Sequence, residues 1–297
     1  MRTDAVKHLL AQVRPKAGSL AVTIFGDCIS QHGGTVWLGS LVLVMEKFGL
    51  NSRQIRTAVF RLVQNGWLKS KRFGRRSLYG LSTLGMQDYG RATSQIYRAG
   101  FKTWDGSWTI LVCDKDSFLD YPNFRRRLHW LGFGELAGAT FVHPSLDKDM
   151  FNKLIDDSQL DKRVTVWDAC LANNAEQSQV LRKAWNFDRV QARYEEFILR
   201  FSSLSPITST AGVLNPADAF LVRILLIHEY RRILLKVADL PKEILPPSWP
   251  GSRAMSLAKQ IYRSVSGASQ VFVTDNLENQ AGMFAAPVED FYTRFRQ

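Results

Sequence analysis

Ser52, Arg53, Gln54, Arg56, Thr57 and Arg61 put hydroxyl, guanidinium and carboxamide groups within about three turns of one predicted helix. A guanidinium can grip the N7 and O6 edge of guanine with two hydrogen bonds, and a carboxamide can do the same for adenine. Lys69, Lys71, Arg72, Arg75 and Arg76 follow, with no carboxylate among them. Such cations suit phosphate oxygens, which position a protein on a duplex without reading it. Together the two groups have the make-up of a surface that meets double-stranded DNA.

Other chemistries have less to build on. Asp114 and Asp116 follow a predicted strand, where a carboxylate can hold a metal ion for nucleic-acid hydrolysis, yet one turn does not make a two-metal site. A metal-dependent nuclease acting through Asp114 is therefore the alternative reading, with a capped turn as the simpler one. His228-Glu-Tyr-Arg-Arg232 has Arg where a zinc protease needs its second His, and Gly132-x-Gly134-x-x-x-Gly138 misses the dinucleotide spacing. No Gly-x-Ser-x-Gly elbow or Walker loop occurs. Cys28, Cys113 and Cys170 are scattered and odd in number, which fits a reducing compartment and buried thiols. No catalysis, metal or cofactor is expected.

The elements that must position the first group are legible. Ser19–His32 and Leu38–Phe48 read as helices ended by Gly33-Gly34 and Gly49. The next helix begins after Asn51, with Gln54 three residues on in capping-box spacing, and Gly66 stops it. Ile55, Ala58, Val59, Leu62 and Val63 form one apolar stripe, which leaves Arg53, Gln54, Arg56, Thr57, Arg61 and Gln64 opposite. Phe60 also falls on the outward side and is expected to pack on a neighbouring element rather than on a base. Residues 67–73 and 78–81 alternate as strands around a Gly74–Ser77 turn. Three helices and a basic hairpin predict a winged helix-turn-helix over 17–98, closed by a helix at Leu84–Arg98.

Charge follows the same division. Residues 1–100 carry 15 Lys and Arg against 4 Asp and Glu, a net of +11, whereas 101–297 carry 24 against 23, a net of +1. A local excess of that size is an electrostatic footprint for a polyanion. No apolar run resembles a membrane span and no signal peptide is visible, so a soluble cytoplasmic protein is expected.

The neutral remainder predicts two further segments. Strands at 108–113, 134–138, 140–142 and 163–167, with helices at 124–131 and Met150–Ser158, give the β-α-β-β-α-β order of a ferredoxin-like domain over 101–172. From Trp185 the pattern turns helical, with helices at 188–201, 216–237 and 255–264 in a C-terminal segment over 183–275. The fold class is thus α+β. Arg223, His228, Arg231 and Arg232 are candidates for an anion pocket, with structural ion pairs to Glu195, Glu196 or Glu229 as the alternative. Trp185, Tyr194 and Trp249 can supply an aromatic wall.

Several strings resemble the phenylacetate-degradation repressors, the PaaX-like regulators. These are the basic helix-and-hairpin segment, Trp108-Thr-Ile, Arg125-Arg-Arg-Leu-x-x-Leu-Gly-Phe-Gly134 and Ala219-Phe-x-x-Arg223. His228-x-Tyr-Arg-Arg232, Leu240-Pro241 and Leu245-Pro-x-x-Trp249-Pro-Gly251 continue the match, which runs from about residue 17 to 275. The resemblance implies a homodimeric repressor of an aromatic catabolic operon, released from operator DNA by an aryl-CoA such as phenylacetyl-CoA. With that ligand, Arg223, His228, Arg231, Arg232 and Trp249 are the expected effector contacts.

Overall fold

A computed structural model of the chain describes residues 4–98, 100, 104–144, 146, 151, 163–170, 182–204, 214–235 and 240–296. These residues divide into two compact units. One comprises Met1–Ala99, Phe197–Arg231 and Arg253–Gln297, and the other Gly100–Glu196 and Arg232–Ser252.

In the first unit, helix α1 spans Asp4–Val13, α2 Ala17–Asp27, α3 Leu38–Glu46, α4 Ser52–Gln64 and α5 Thr83–Ile96. The first helix was not anticipated. Helix α2 ends five residues before the expected His32, because Ile29–Gln31 tightens into a 3₁₀ turn before Gly33 and Gly34. Strand β1 (Thr35–Trp37) was also not anticipated, and it joins β2 (Leu68–Phe73) and β3 (Arg76–Leu81) in the order β1-β3-β2. Both pairings are antiparallel, and β2 and β3 are linked by Gly74 and Arg75 alone. Gly66 has φ of +71°, a left-handed conformation that ends α4 at little cost only without a Cβ. A Cβ on Gly85 would lie 2.2 Å from the Trp67 carbonyl oxygen, so the start of α5 sits directly on the entry to the hairpin. Leu20, Ile24 and Phe25 of α2, Leu41 and Met45 of α3 and Ile55 and Val59 of α4 are all buried.

The second unit holds β4 (Ser107–Cys113), α6 (Tyr121–Trp130), β5 (Gly134–Ala137), β6 (Thr140–His143) and β7 (Val164–Cys170). The sheet order is β5-β6-β4-β7, with every pair antiparallel. Leu111, Cys113 and Phe141 face Phe124 and Leu128 of α6, with Phe133 and Phe151 completing the core. Asp120 caps α6 by accepting from the Asn123 amide at 3.1 Å. Apart from Phe151, the helix expected at Met150–Ser158 lies outside the described residues.

Helix α7 spans Phe187–Ser202, α8 Pro216–Leu234 and α9 Gly251–Asn276. The contact boundaries between the two units fall inside all three of these helices. In α8 every residue from Asp218 to His228 is buried, so this stretch needs cover on all sides. Helix α9 continues twelve residues past the expected Ser264 and carries Gly267 within it. A short hairpin, β8 (Glu278–Asn279) and β9 (Gly282–Met283), and α10 (Asp290–Thr293) follow in the first unit. Among the described residues no helix is long and apolar enough to cross a membrane.

Candidate nucleic-acid interface

Helix α4 opens with both halves of a capping box. The Gln54 amide donates to Asn51 Oδ1 at 2.9 Å, and the Asn51 amide donates to Gln54 Oε1 at 3.0 Å. The cap fixes the first turn that Arg53 and Arg56 project from. Arg56 Nε donates to Ser52 Oγ at 3.2 Å, one turn back. Gln54 therefore has its carbonyl oxygen committed to the cap, and its NH₂ is the group left to donate outward.

Arg53, Gln54, Arg56, Thr57 and Arg61 are exposed and Ser52 is half-buried, while Ile55 and Val59 anchor the opposite side. On the hairpin, Lys69, Lys71, Arg72, Arg75 and Arg76 are all exposed as well. Arg72 Nε donates to the Gly74 carbonyl at 3.1 Å, which draws its side chain toward the turn. Phe60 does not pack as expected: it is 62% exposed on the same side of α4 as the arginines.

Arg76 is held by residues with no sequence-local connection to it. Its Nη2 lies 2.9 Å from Glu278 Oε1, and its guanidinium stacks 4.2 Å above the Trp37 ring. Trp37 Nε1 donates to the Asn279 carbonyl at 2.7 Å, and Phe73 meets the same ring edge-on. The β8–β9 hairpin thus braces the basic one beside its turn. Neither Trp37 nor Glu278 was singled out from the sequence, and a partner some two hundred residues away leaves no periodic signal to find.

Of the residues expected to meet an effector, Arg223, His228 and Arg231 make contacts within the chain. Arg223 is fully buried, with Nε 2.7 Å from Asp27 Oδ2 in an ion pair not aligned as a hydrogen bond, and Nη2 donating to the Asp27 carbonyl at 2.9 Å. Arg294 Nη1 lies 3.1 Å from Asp27 Oδ1 and donates to Tyr262 Oη at 2.9 Å. Tyr97 and Tyr262 donate to the same carboxylate oxygen at 2.5 and 3.0 Å. Two guanidiniums and two phenols therefore converge on one carboxylate at the end of α2. Burial pushes the Tyr262 hydroxyl up to about 12 and the neighbouring Cys28 thiol up to about 12, so both stay protonated. Burial opposes the charge on Arg223, yet Asp27, Tyr262 and Cys28 together outweigh it and hold its pKa above the ordinary arginine value.

One turn and two turns further along α8, the same helix is bound again. His228 Nδ1 and Thr23 Oγ1 are 3.0 Å apart, and Arg231 Nη2 donates to the Ser19 carbonyl at 2.7 Å. Arg223, His228 and Arg231 are thus brought together along α2, as ties rather than as the lining of an open cavity. Of the ion pairs expected as the alternative, His228 Nε2 lies 4.0 Å from Glu229 Oε1, Glu229 also receives Arg200 Nη1 at 2.7 Å, and Arg223 pairs with Asp27 instead. Arg232 is exposed at the end of α8. Trp249 belongs to the second unit, buried with its ring 4.4 Å from Phe187 and edge-on to Tyr194 at 5.3 Å. A groove of about 420 Å³ lined by Leu10, Arg14, Pro15, Phe48 and Leu50 contains none of the expected effector residues.

Asp114 and Asp116 are exposed in the turn after β4, where the Ser117 hydroxyl donates to the Asp114 carbonyl at 2.7 Å. Among the described residues no three carboxylate, imidazole or thiol groups come together to hold a metal ion.

Three family models match the chain: PaaX-like protein over residues 16–85, PaaX protein central Cas2-like domain over 101–181, and PaaX-like protein C-terminal domain over 185–275. The chain is 37% identical over 295 residues to the transcriptional repressor PaaX of Escherichia coli, covering 98% of this chain and 93% of that one. Among solved structures, an uncharacterized protein from Mycobacterium tuberculosis aligns with a TM-score of 0.48 at 20% identity, over 78% of this chain and 89% of that one.

Proposed function

Because this chain belongs to the PaaX-like family, we propose that it is a DNA-binding transcriptional repressor, a regulator and not an enzyme. The observation that carries the reading is the capped α4 helix, whose base-pairing side chains all face outward beside a hairpin with five exposed cations. In this reading α2, α3 and α4 with the β1-β3-β2 sheet form a winged helix-turn-helix. Helix α4 enters the major groove and the hairpin lies along the phosphates. The β5-β6-β4-β7 order supports a ferredoxin-like reading of the middle segment, which carries no catalytic role here.

The finer proposal is a homodimer on a palindromic operator of an aromatic catabolic gene cluster, released by an aryl-CoA such as phenylacetyl-CoA. Arg223, His228 and Arg231 then contribute by fastening α8 to α2, which gives an effector sensed by the C-terminal helices a rigid route to the DNA-reading module. Arg232 and Trp249 remain the proposed ligand contacts. A loss of operator affinity of about 100-fold needs a coupling near 2.7 kcal/mol, and linkage requires operator to weaken aryl-CoA binding by the same factor. Titration of phenylacetyl-CoA into free and operator-bound protein tests this. Tighter binding to the free form is expected, and equal affinities would reject release by this ligand.

A further inference from the structure

Of the described phenylalanines, Phe60 alone is exposed; the others are buried or half-buried. The chain therefore has room for apolar rings in its cores, and the exposure belongs to this one position. On an ideal helix Phe60 lies within about 60° of Arg53, Arg56 and Thr57 around the axis, and about 6 Å along it from Arg56. An uncovered ring is thus set in the middle of a cationic, hydrogen-bonding face, on the side of α4 opposite Ile55 and Val59.

A protein partner matched to this face would have to bury the arginines beside the ring, and unpaired buried charge is costly. A duplex does not impose that cost, because its phosphates neutralise the cations. Its major groove also offers one apolar group, the C5 methyl of thymine, to which a phenylalanine can pack. We propose that Phe60 is a specificity-determining residue that packs against a thymine methyl in the major groove, beside the bases read by Arg53 and Arg56. This rests on the DNA-binding reading above and adds a base preference that the arginines cannot supply. A polar residue at position 60 would hydrogen-bond to base edges; a ring detects the methyl and little else.

The test uses the full-length protein and a duplex selected by it from a random-sequence pool. Each thymine of that duplex is replaced in turn by deoxyuridine, which removes the methyl and leaves pairing intact. Removing one buried methyl is worth about 0.8 kcal/mol, or roughly fourfold in affinity. The wild-type protein is expected to lose about that factor at one position in each half-site, and Phe60→Leu to keep the same profile. Phe60→Ala should bind the thymine duplex more weakly, lose the uracil sensitivity at that position only, and keep its melting temperature because the side chain is exposed. Coincident uracil profiles for wild type and Phe60→Ala would overturn the assignment while leaving DNA binding intact. A wild-type protein that selects no duplex would overturn the DNA reading, and the role of Phe60 with it.

Discussion

The outward face of α4 and the seam between α2 and α8 are both built from arginines, and they use them in opposite ways. On α4, Arg53, Arg56 and Arg61 stand in water, where a lone guanidinium costs little and stays available to a partner. In the seam, Arg223 and Arg294 are dehydrated and matched against Asp27, two phenols and backbone carbonyls. A charge left in such a place without its counterpart is far more costly than one at the surface. The same residue type therefore serves recognition in one region and construction in the other. Mutations should separate accordingly: the face should change binding and spare stability, the seam the reverse.

The largest effect is expected at Asp27. Replacing it with Ala leaves two buried guanidiniums facing each other and should cost about 3–5 kcal/mol in urea-induced unfolding. A cost under about 1 kcal/mol would mean the seam tolerates bare charge and the contrast fails. Next comes the outward face, where Arg53→Ala or Arg56→Ala should lose about 1–3 kcal/mol on the selected duplex and relax preference at one base pair per half-site. Their melting temperatures should match wild type, and a lowered one would show that these arginines also hold the fold. A smaller change is expected on the hairpin. Arg75→Ala with Arg76→Ala should weaken binding to every sequence and flatten the dependence of log affinity on log salt by about 1–2 units. A full salt slope in that variant would remove the hairpin from the interface.

The smallest effect concerns protons near the seam. His32 stacks on Phe284 at 5.1 Å, and its Nδ1 and the Ala285 carbonyl are 2.7 Å apart. Burial drives its pKa below the ordinary 6.5, and Arg223 adds to that push while the Ala285 carbonyl opposes it. The unfolded chain then takes the proton more readily than the folded one. Its contribution is fully present above 6.5 and is lost as the pH falls below that value toward the folded-state pKa. Denaturation series on wild type and His32→Asn should converge in slope above that pH and part below it, with the variant less acid-sensitive. Parallel curves would place the acid sensitivity elsewhere.

What the sequence disclosed follows from the range of the forces involved. The capping box, the apolar stripe of α4 and the hairpin itself are set by neighbours within a few positions, although its turn is Gly74 and Arg75 alone and Arg76 and Ser77, expected in it, belong to β3. The strands of the second unit carry a local signal of the same kind. The partners of Arg76, Arg223 and Arg231 lie about two hundred positions away, and nothing local distinguishes a guanidinium bound for Glu278 or Asp27 from one bound for a phosphate. Helix α9 outruns the expected 255–264 at both ends, and packing along Ile261, Val265, Phe272 and Val273 carries it through Gly267. Phe60 was misplaced because a hydrophobic side chain was assumed to seek cover within its own chain.

Arg294, which completes the cage around Asp27, is joined to the chain 267 residues after that carboxylate. At a translation speed of roughly 5–20 residues per second, the first hundred residues wait about 10–40 seconds for the helices that cover them. During that interval the α2 surface destined for α8 is bare to solvent, an exposure that favours aggregation. Polypeptides broken off before residue 294 would lack the second guanidinium that holds the Asp27 carboxylate.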